Sequence, residues 1–370
     1  MAYEQFQQSR GKKSIGDLVT SKSQSKEKDE LIAKINAENY KWGTDSPTHL
    51  ELEGLKPTLG FEIETINGPV PLSARKYLNV SAVHDGSLRG PNGEDPQGGE
   101  YVTGVLYGDM GFKQLNLLCN TLQKHCEIDR RCGVHIHIGS LNWSEEDLVF
   151  CYALALQIEK EGYDLLPNSR RTNSYCKPLQ RIPGFVERLL SIKKTDKLQY
   201  RVTIEELYNE LFLYVSGGVP QSNNCNKNTN HPKGSKCGYS KSSQRYCWIN
   251  FVTLLFNTKG NVNAKTLEIR HHGATMNYTK IRNWTKIWVA FANFVTNYKQ
   301  AILEGVVTYK GKKFPVNLET IVALAYPKSG QNLIKFMRNR RETFKTKGEE
   351  IDYSSTIEND GATLSQIIRN

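Results

Sequence analysis

The 370-residue sequence contains no apolar run near the ~20 residues that a membrane span requires. Its N-terminus has no apolar core of a secretory signal, so the expected setting is the cytoplasm, without membrane contact. A Gly-x-x-x-x-Gly-Lys-Ser/Thr loop is missing, and so is Gly-x-Gly-x-x-Gly, which removes support for the common nucleotide-binding folds. The Gly-x-Ser-x-Gly elbow of serine hydrolases is absent as well. Internal repeats and an evident linker are lacking. Cysteine is present without order: the eight residues, from Cys119 to Cys247, are scattered and read as reduced thiols. Cys225, His231 and Cys237, with Cys176 outside, match no compact zinc spacing.

What the chain does have is positive charge. Forty-nine Lys and Arg against 38 Asp and Glu give a formal net charge of +11. Such a balance favours an acidic partner, whether nucleotide, nucleic acid or another anionic polymer, and says nothing of fold. With 38% hydrophobic, 10% aromatic and 24% charged residues the composition is that of a globular protein.

Leu59-Gly60-Phe61-Glu62-Ile63-Glu64-Thr65 alternates as a strand, with Phe61 and Ile63 on one face and Glu62 and Glu64 on the other. Two acids about 6.5–7 Å apart on one face repel unless a cation lies between them. Alone, the pair is equally a solvated strand face. Further strand candidates are Val80–Leu88, which ends in the Asp85-Gly86-Ser87 turn, and Gly99–Leu106, which opens on Glu100. Cys132–Gly139 sets His135 and His137 on one face, and Thr266–Gly273 does the same for Glu268 and Arg270. Arg245–Val252 is another strand candidate.

Helical spacing is found in 112–123, in 148–158 after a Ser144/Asp147 capping box, in 203–215, and in the Trp- and Phe-rich 281–303, which reads as the last core-like element. Residues 1–54 form a basic, weakly structured extension, although 29–40 has helical character. Residues 55–305 read as the folded domain, and 306–370 as a basic C-terminal extension. The Gly/Asn/Lys/Ser-rich stretch 217–244 reads as a long surface loop. Strands and helices mix without regular β-α-β alternation, so the expected class is α+β with a largely antiparallel sheet.

Glu62, Glu64, Glu100, His135, His137 and Glu268 recur at one alternation on four strand candidates, and that recurrence turns weak single signals into a ligand set. Carboxylates with an occasional imidazole suit Mg²⁺ or Mn²⁺ and bound phosphate better than structural zinc. Arg270, two residues beyond Glu268, is placed to grip phosphoryl oxygens.

The succession Gly60-Phe61-Glu62-Ile63-Glu64, Asp85-Gly86-Ser87-Leu88, Glu100-Tyr101-Val102-Thr103 and Cys132-Gly133-Val134-His135-Ile136-His137 resembles the amidoligase family, relatives of glutamine synthetase and glutamate–cysteine ligase. Ser169–Cys176, Arg245–Asn250 and Thr266–Arg270 continue the resemblance, in order, over about residues 55–300. It implies a curved antiparallel sheet of glutamine-synthetase-like type with helices on the convex face, holding ATP and two or more Mg²⁺ ions. The implied chemistry is amide formation through an acyl phosphate. It further implies Glu62, Glu64, Glu100, His135 and Glu268 as metal ligands. Arg270, Arg245 and His137 would lie at the phosphates as catalytic and nucleotide-binding groups, with Asn250 also at the nucleotide. Arg170, Arg171 and Tyr175 would form a substrate-binding rim.

Attack on an acyl phosphate must exclude water, which gives 217–244 the expected role of a lid. The carboxylate and amine remain open, with a peptide, a peptidoglycan fragment and modified DNA as large or anionic candidates. Two alternatives accompany this reading. One is a guanidino-kinase-like phosphotransferase on the same scaffold, and the other a nucleic-acid-binding protein that keeps the fold without the chemistry.

Overall fold

The computed structural model describes residues 57–347 except 67, 86–87, 89–98, 193–195, 216–242, 256–265 and 328. The basic N-terminal arm, the zinc alternative's loop residues, nearly all of 217–244 and the last twenty residues lie outside the described residues. The first half runs β1 (Thr58–Thr65), α1 (Leu72–Tyr77), β2 (Val80–Val83), β3 (Gly99–Thr103), β4 (Leu106–Tyr107), α2 (Gly108–His125), β5 (Gly133–Gly139) and α3 (Glu145–Asp164). It continues with α4 (Asn168–Arg171), α5 (Phe185–Ser191), α6 (Lys197–Val215), β6 (Ile249–Asn250), α7 (Val252–Leu255) and β7 (Thr266–Gly273). Last come α8 (Tyr278–Asn297), α9 (Lys299–Glu304), β8 (Val306–Tyr309), β9 (Lys312–Pro315), α10 (Leu318–Ala325) and α11 (Gly330–Lys347).

The main sheet is open and antiparallel, in the order β2-β3-β1-β5-β7-β6, with β4 paired to the start of β1. Its mixture with helices makes the fold α+β. Alternation fixes which side chains enter the core: Phe61, Ile63, Val134, Ile136, Ile138, Leu267 and Ile269 are buried on the face opposite the acids. Covering that face takes a helix that is apolar nearly all round. α8 supplies it through Trp284, Ile287, Trp288, Phe291 and Val295, all buried. The Asn277 side chain caps α8 by accepting from Lys280 N–H at 3.0 Å. α3 begins at the expected capping box, where Ser144 N–H donates to Asp147 Oδ2 at 2.8 Å and Asp147 N–H donates to Ser144 Oγ at 3.3 Å.

Several elements differ from expectation. The Val80–Leu88 strand stops at Val83, since Leu88 N–H folds back to Asp85 O at 3.2 Å. Of Arg245–Val252 only Ile249–Asn250 pairs as a strand, because Ser243–Tyr246 is a 3₁₀ turn and a helix starts at Val252. The helix expected over 281–303 divides at Tyr298 into α8 and α9. It is not the last core element. Residues 306–347, expected as a basic extension, bury Leu318, Ile321, Val322, Tyr326 and Met337 in the same core. The signal is present in Leu318, Ile321, Val322 and Ala325 at helical spacing, but the surrounding lysines and arginines mask it.

One irregularity shapes the functional face. Ile136 pairs with Ile269 and Val134 with His272, so three steps on β7 oppose two on β5. This β-bulge lets both His271 and His272 fall on the core side directly after Arg270. The His271 ring lies 4.8 Å from the ring of Trp248 and 5.1 Å from those of Trp284 and Trp288.

Candidate functional site

Pairing register brings the acids and imidazoles together. Glu64 lies opposite Glu100, Glu62 opposite His135, His137 opposite Glu268, and Glu268 opposite Asn250. Five strands therefore present one polar row on the face away from the Trp core.

Glu62 is its centre. Its Oε2 lies 2.9 Å from His135 Nδ1, and its Oε1 lies 3.2 Å from His137 Nε2. Glu268 Oε1 lies 3.7 Å and Glu100 Oε1 3.9 Å from His135 Nδ1. Two groups of potential ligands result, Glu62/Glu100/His135 and Glu62/His137/Glu268, each with ligand atoms within 4.8 Å of one another. Glu62 belongs to both. Glu64 belongs to neither: its Oε2 accepts from Gly133 N–H at 2.6 Å, and its Oε1 stands 3.6 Å from His135 Nε2.

The electrostatics are those of crowded charge. Burial favours the neutral acid at Glu62, but His137 and His135 outweigh it and hold the carboxyl well below the usual range. Burial, then Glu62 and Glu64, push Glu100 well above that range. Burial raises Glu64 also, against the pull of His135 and Arg170. At Glu268 burial is overcome by Arg270 and His137, which hold it low. Burial would depress His137, but Glu62 and Glu268 raise it instead. Asp85 adds negative charge felt by both Glu64 and Glu100.

These residues fit a divalent cation on a specific observation. The buried His137 Nε2 makes no hydrogen bond despite its closeness to Glu62, while its Nδ1 is fixed by Thr266 Oγ1 at 3.0 Å. A ring anchored at one nitrogen, with the other aimed bare at a carboxylate cluster, has the form of a metal ligand held by an outer partner. Asn250 plays the outer role for Glu268, donating Nδ2 to Oε2 at 2.7 Å. Thr266 was not legible as a partner because its contact depends on cross-strand register.

Arg270 completes the row. Its guanidinium pairs with Glu268 Oε1, and its Nε donates to Tyr175 O at 3.3 Å. Arg245 lies over the Tyr246 ring, 5.1 Å from the centroid. The expected substrate rim is placed differently. Arg170 is buried, with Nη2 donating to Arg270 O at 2.9 Å. Arg171 Nε donates to Tyr163 O at 3.1 Å and Leu166 O at 2.9 Å, closing the end of α3. Both guanidinium groups are thus engaged by backbone carbonyls, and of the three rim residues Tyr175 is the exposed one. Cys176 is buried, with Sγ against Arg170 O at 3.2 Å.

Fold and site together define an α+β protein whose open antiparallel sheet carries an acid–imidazole cluster suited to divalent cations. The chain belongs to the family described as "Putative amidoligase enzyme", whose model matches residues 70–292, more than half its length. Membership places it among the amidoligases. The matched segment takes in Glu100, His135, His137, Asn250, Glu268 and Arg270; Glu62 and Glu64 precede it, and their assignment rests on geometry. No curated protein matches the chain. Among the described residues no helix is long and apolar enough to cross a membrane.

Proposed function

We propose that the protein is an ATP-dependent carboxylate–amine ligase working through an acyl phosphate on a glutamine-synthetase-like sheet. The observation that carries this reading is the pair of ligand groups sharing Glu62 with the Arg270 guanidinium beside them. Glu62, Glu100 and His135 would hold one divalent ion, and Glu62, His137 and Glu268 a second, Mg²⁺ or Mn²⁺ by the chemistry of the donors. Bound there, the ions supply positive charge that neutralises a triphosphate.

The chain's own groups then orient and stabilise. A substrate carboxylate oxygen attacks the γ-phosphorus, the bond to ADP breaks, and Arg270 offsets charge on the transferring group. An amine then attacks the acyl carbon, phosphate departs, and the amine nitrogen gives up a proton to leave a neutral amide. His137, held at Nδ1 by Thr266, would serve that second ion through Nε2, which leaves the phosphates themselves to Arg270. The +11 charge supports a bulky or anionic partner as one of the two substrates, acting in the cytoplasm.

A hydroxylamine trap tests the reading. Protein, Mg-ATP and a panel of carboxylates should give a hydroxamate together with ADP, and Glu62→Gln should give neither. ADP formed with a phosphorylated guanidino product and no hydroxamate would replace the ligase with a phosphotransferase.

A further inference from the structure

Beyond Arg270 the polar row ends in an aromatic rim. Lys177 N–H donates to Tyr246 O and Trp248 N–H to Lys177 O, both at 2.8 Å, and this locks residues 175–177 beside 246–248. The Tyr175 and Tyr246 rings meet at 5.8 Å and 69°, with the Arg245 guanidinium over Tyr246. Tyr175 is 48% and Tyr246 36% exposed; every other ring pair among the described residues includes a buried or half-buried ring. Two rings set edge to face and a guanidinium form a partly apolar, cationic corner at the surface, where a planar heteroaromatic can stack on one ring with the other at its edge. It is joined to the phosphate-binding candidate directly, since Arg270 Nε donates to Tyr175 O.

A single molecule that offers phosphates to Arg270 and a flat ring to the tyrosines is a nucleoside triphosphate. We infer that Tyr175, Tyr246 and Arg245 form the stacking site for the nucleotide base, placing Arg245 at the base end of the ligand rather than at its phosphates. The inference rests on the ATP-dependent reading above. It also gives Tyr175 two separable parts: a backbone carbonyl that steadies Arg270 and a side chain that meets the ligand.

The test compares two ligands that share phosphates and differ in the base. Binding of Mg-ATP and of Mg-tripolyphosphate is measured by calorimetry on the full chain, with wild type, Tyr175→Ala, Tyr246→Ala and Tyr246→Phe. Tyr175→Ala retains the carbonyl that Arg270 uses, and Tyr246→Phe retains the ring. Each alanine variant should weaken ATP roughly five- to 150-fold, leaving tripolyphosphate within twofold and the melting temperature unchanged. Tyr246→Phe should bind ATP as wild type does. Equal losses for both ligands, or no loss for ATP, overturn the stacking site. Wild type binding tripolyphosphate as tightly as ATP overturns the stacking site alone, whereas wild type binding neither overturns the ATP reading with it.

Discussion

Asn250 and Glu268 stand directly opposite one another on β6 and β7, and the amide Nδ2 of the first donates to Oε2 of the second at 2.7 Å. Glu268 is thereby held from one side by Asn250 and from the other by Arg270, which leaves its carboxylate plane little freedom. Asn250→Ala should weaken Mn²⁺ binding roughly tenfold or more, the usual penalty for losing an outer hydrogen bond to a ligand. Asn250→Asp should weaken it further by placing a like charge on the carboxylate. Calorimetric Mn²⁺ titration checks both, and equal affinity in all three proteins would show that Asn250 does not orient the ligand.

Because Glu62 belongs to both ligand groups and Glu64 to neither, the two acids of one strand should behave differently. Ligand at a hundred times its Kd stabilises a native state by about 2.7 kcal/mol. Wild type and Glu64→Gln should show a stabilisation of that order with Mn²⁺, and Glu62→Gln should lose it. Urea midpoints with and without metal provide the measurement.

The β7 bulge yields a pH dependence that needs no metal. Burial, with Arg170 and Arg340 adding to it, holds His271 neutral with its pKa well below the ordinary value, and His272 behaves likewise with Arg340. An unfolded histidine titrates near ~6.5. Between that value and the lower folded pKa the unfolded chain binds more protons, so stability is complete above pH ~6.5 and falls as the pH drops below it. His271→Phe should flatten the stability profile of the wild type between pH 7 and 5. Parallel profiles for the two proteins would count against a buried neutral His271.

Gly133 leaves room for Arg170. A Cβ at this position would lie 2.9 Å from Arg170 Nη2 and 3.3 Å from its Cζ, and that guanidinium is buried and tied to Arg270 O. It has nowhere easy to go. Gly133→Ala should cost about 1–3 kcal/mol by overpacking, read from urea unfolding, and Arg170→Met in the same background should recover part of the loss.

The sequence made the polar row visible because alternation is a property of one strand read alone. Glu62, Glu64, His135, His137, Glu268 and Arg270 could all be assigned a face before their strands had partners. What alternation cannot supply is strand order or a change of phase. Strict alternation would send His272 to the face of Glu268 and Arg270, but the bulge sends it to the core. The resemblance implied a rim at Arg170 and Arg171, but a matched motif does not say which way a guanidinium turns. Their carbonyl partners, Arg270 O and Leu166 O, are set by chain path and carry no side-chain signal. The α10 stripe from Leu318 to Ala325 was hidden by composition averaged over a basic tail.

Strand order also has a consequence in time. β1 and β5 can pair once the ribosome has passed Gly139, but β7, which brings Glu268 and Arg270, begins at Thr266. A nascent chain that pairs β1 with β5 at that point would hold Glu62 beside His135 and His137 without the arginine for more than a hundred residues of synthesis. Long-range closures of this kind are slow steps in folding. The last strand to arrive thus brings the arginine and the fourth carboxylate of the row, which makes completion of the sheet and completion of its charge balance one late event.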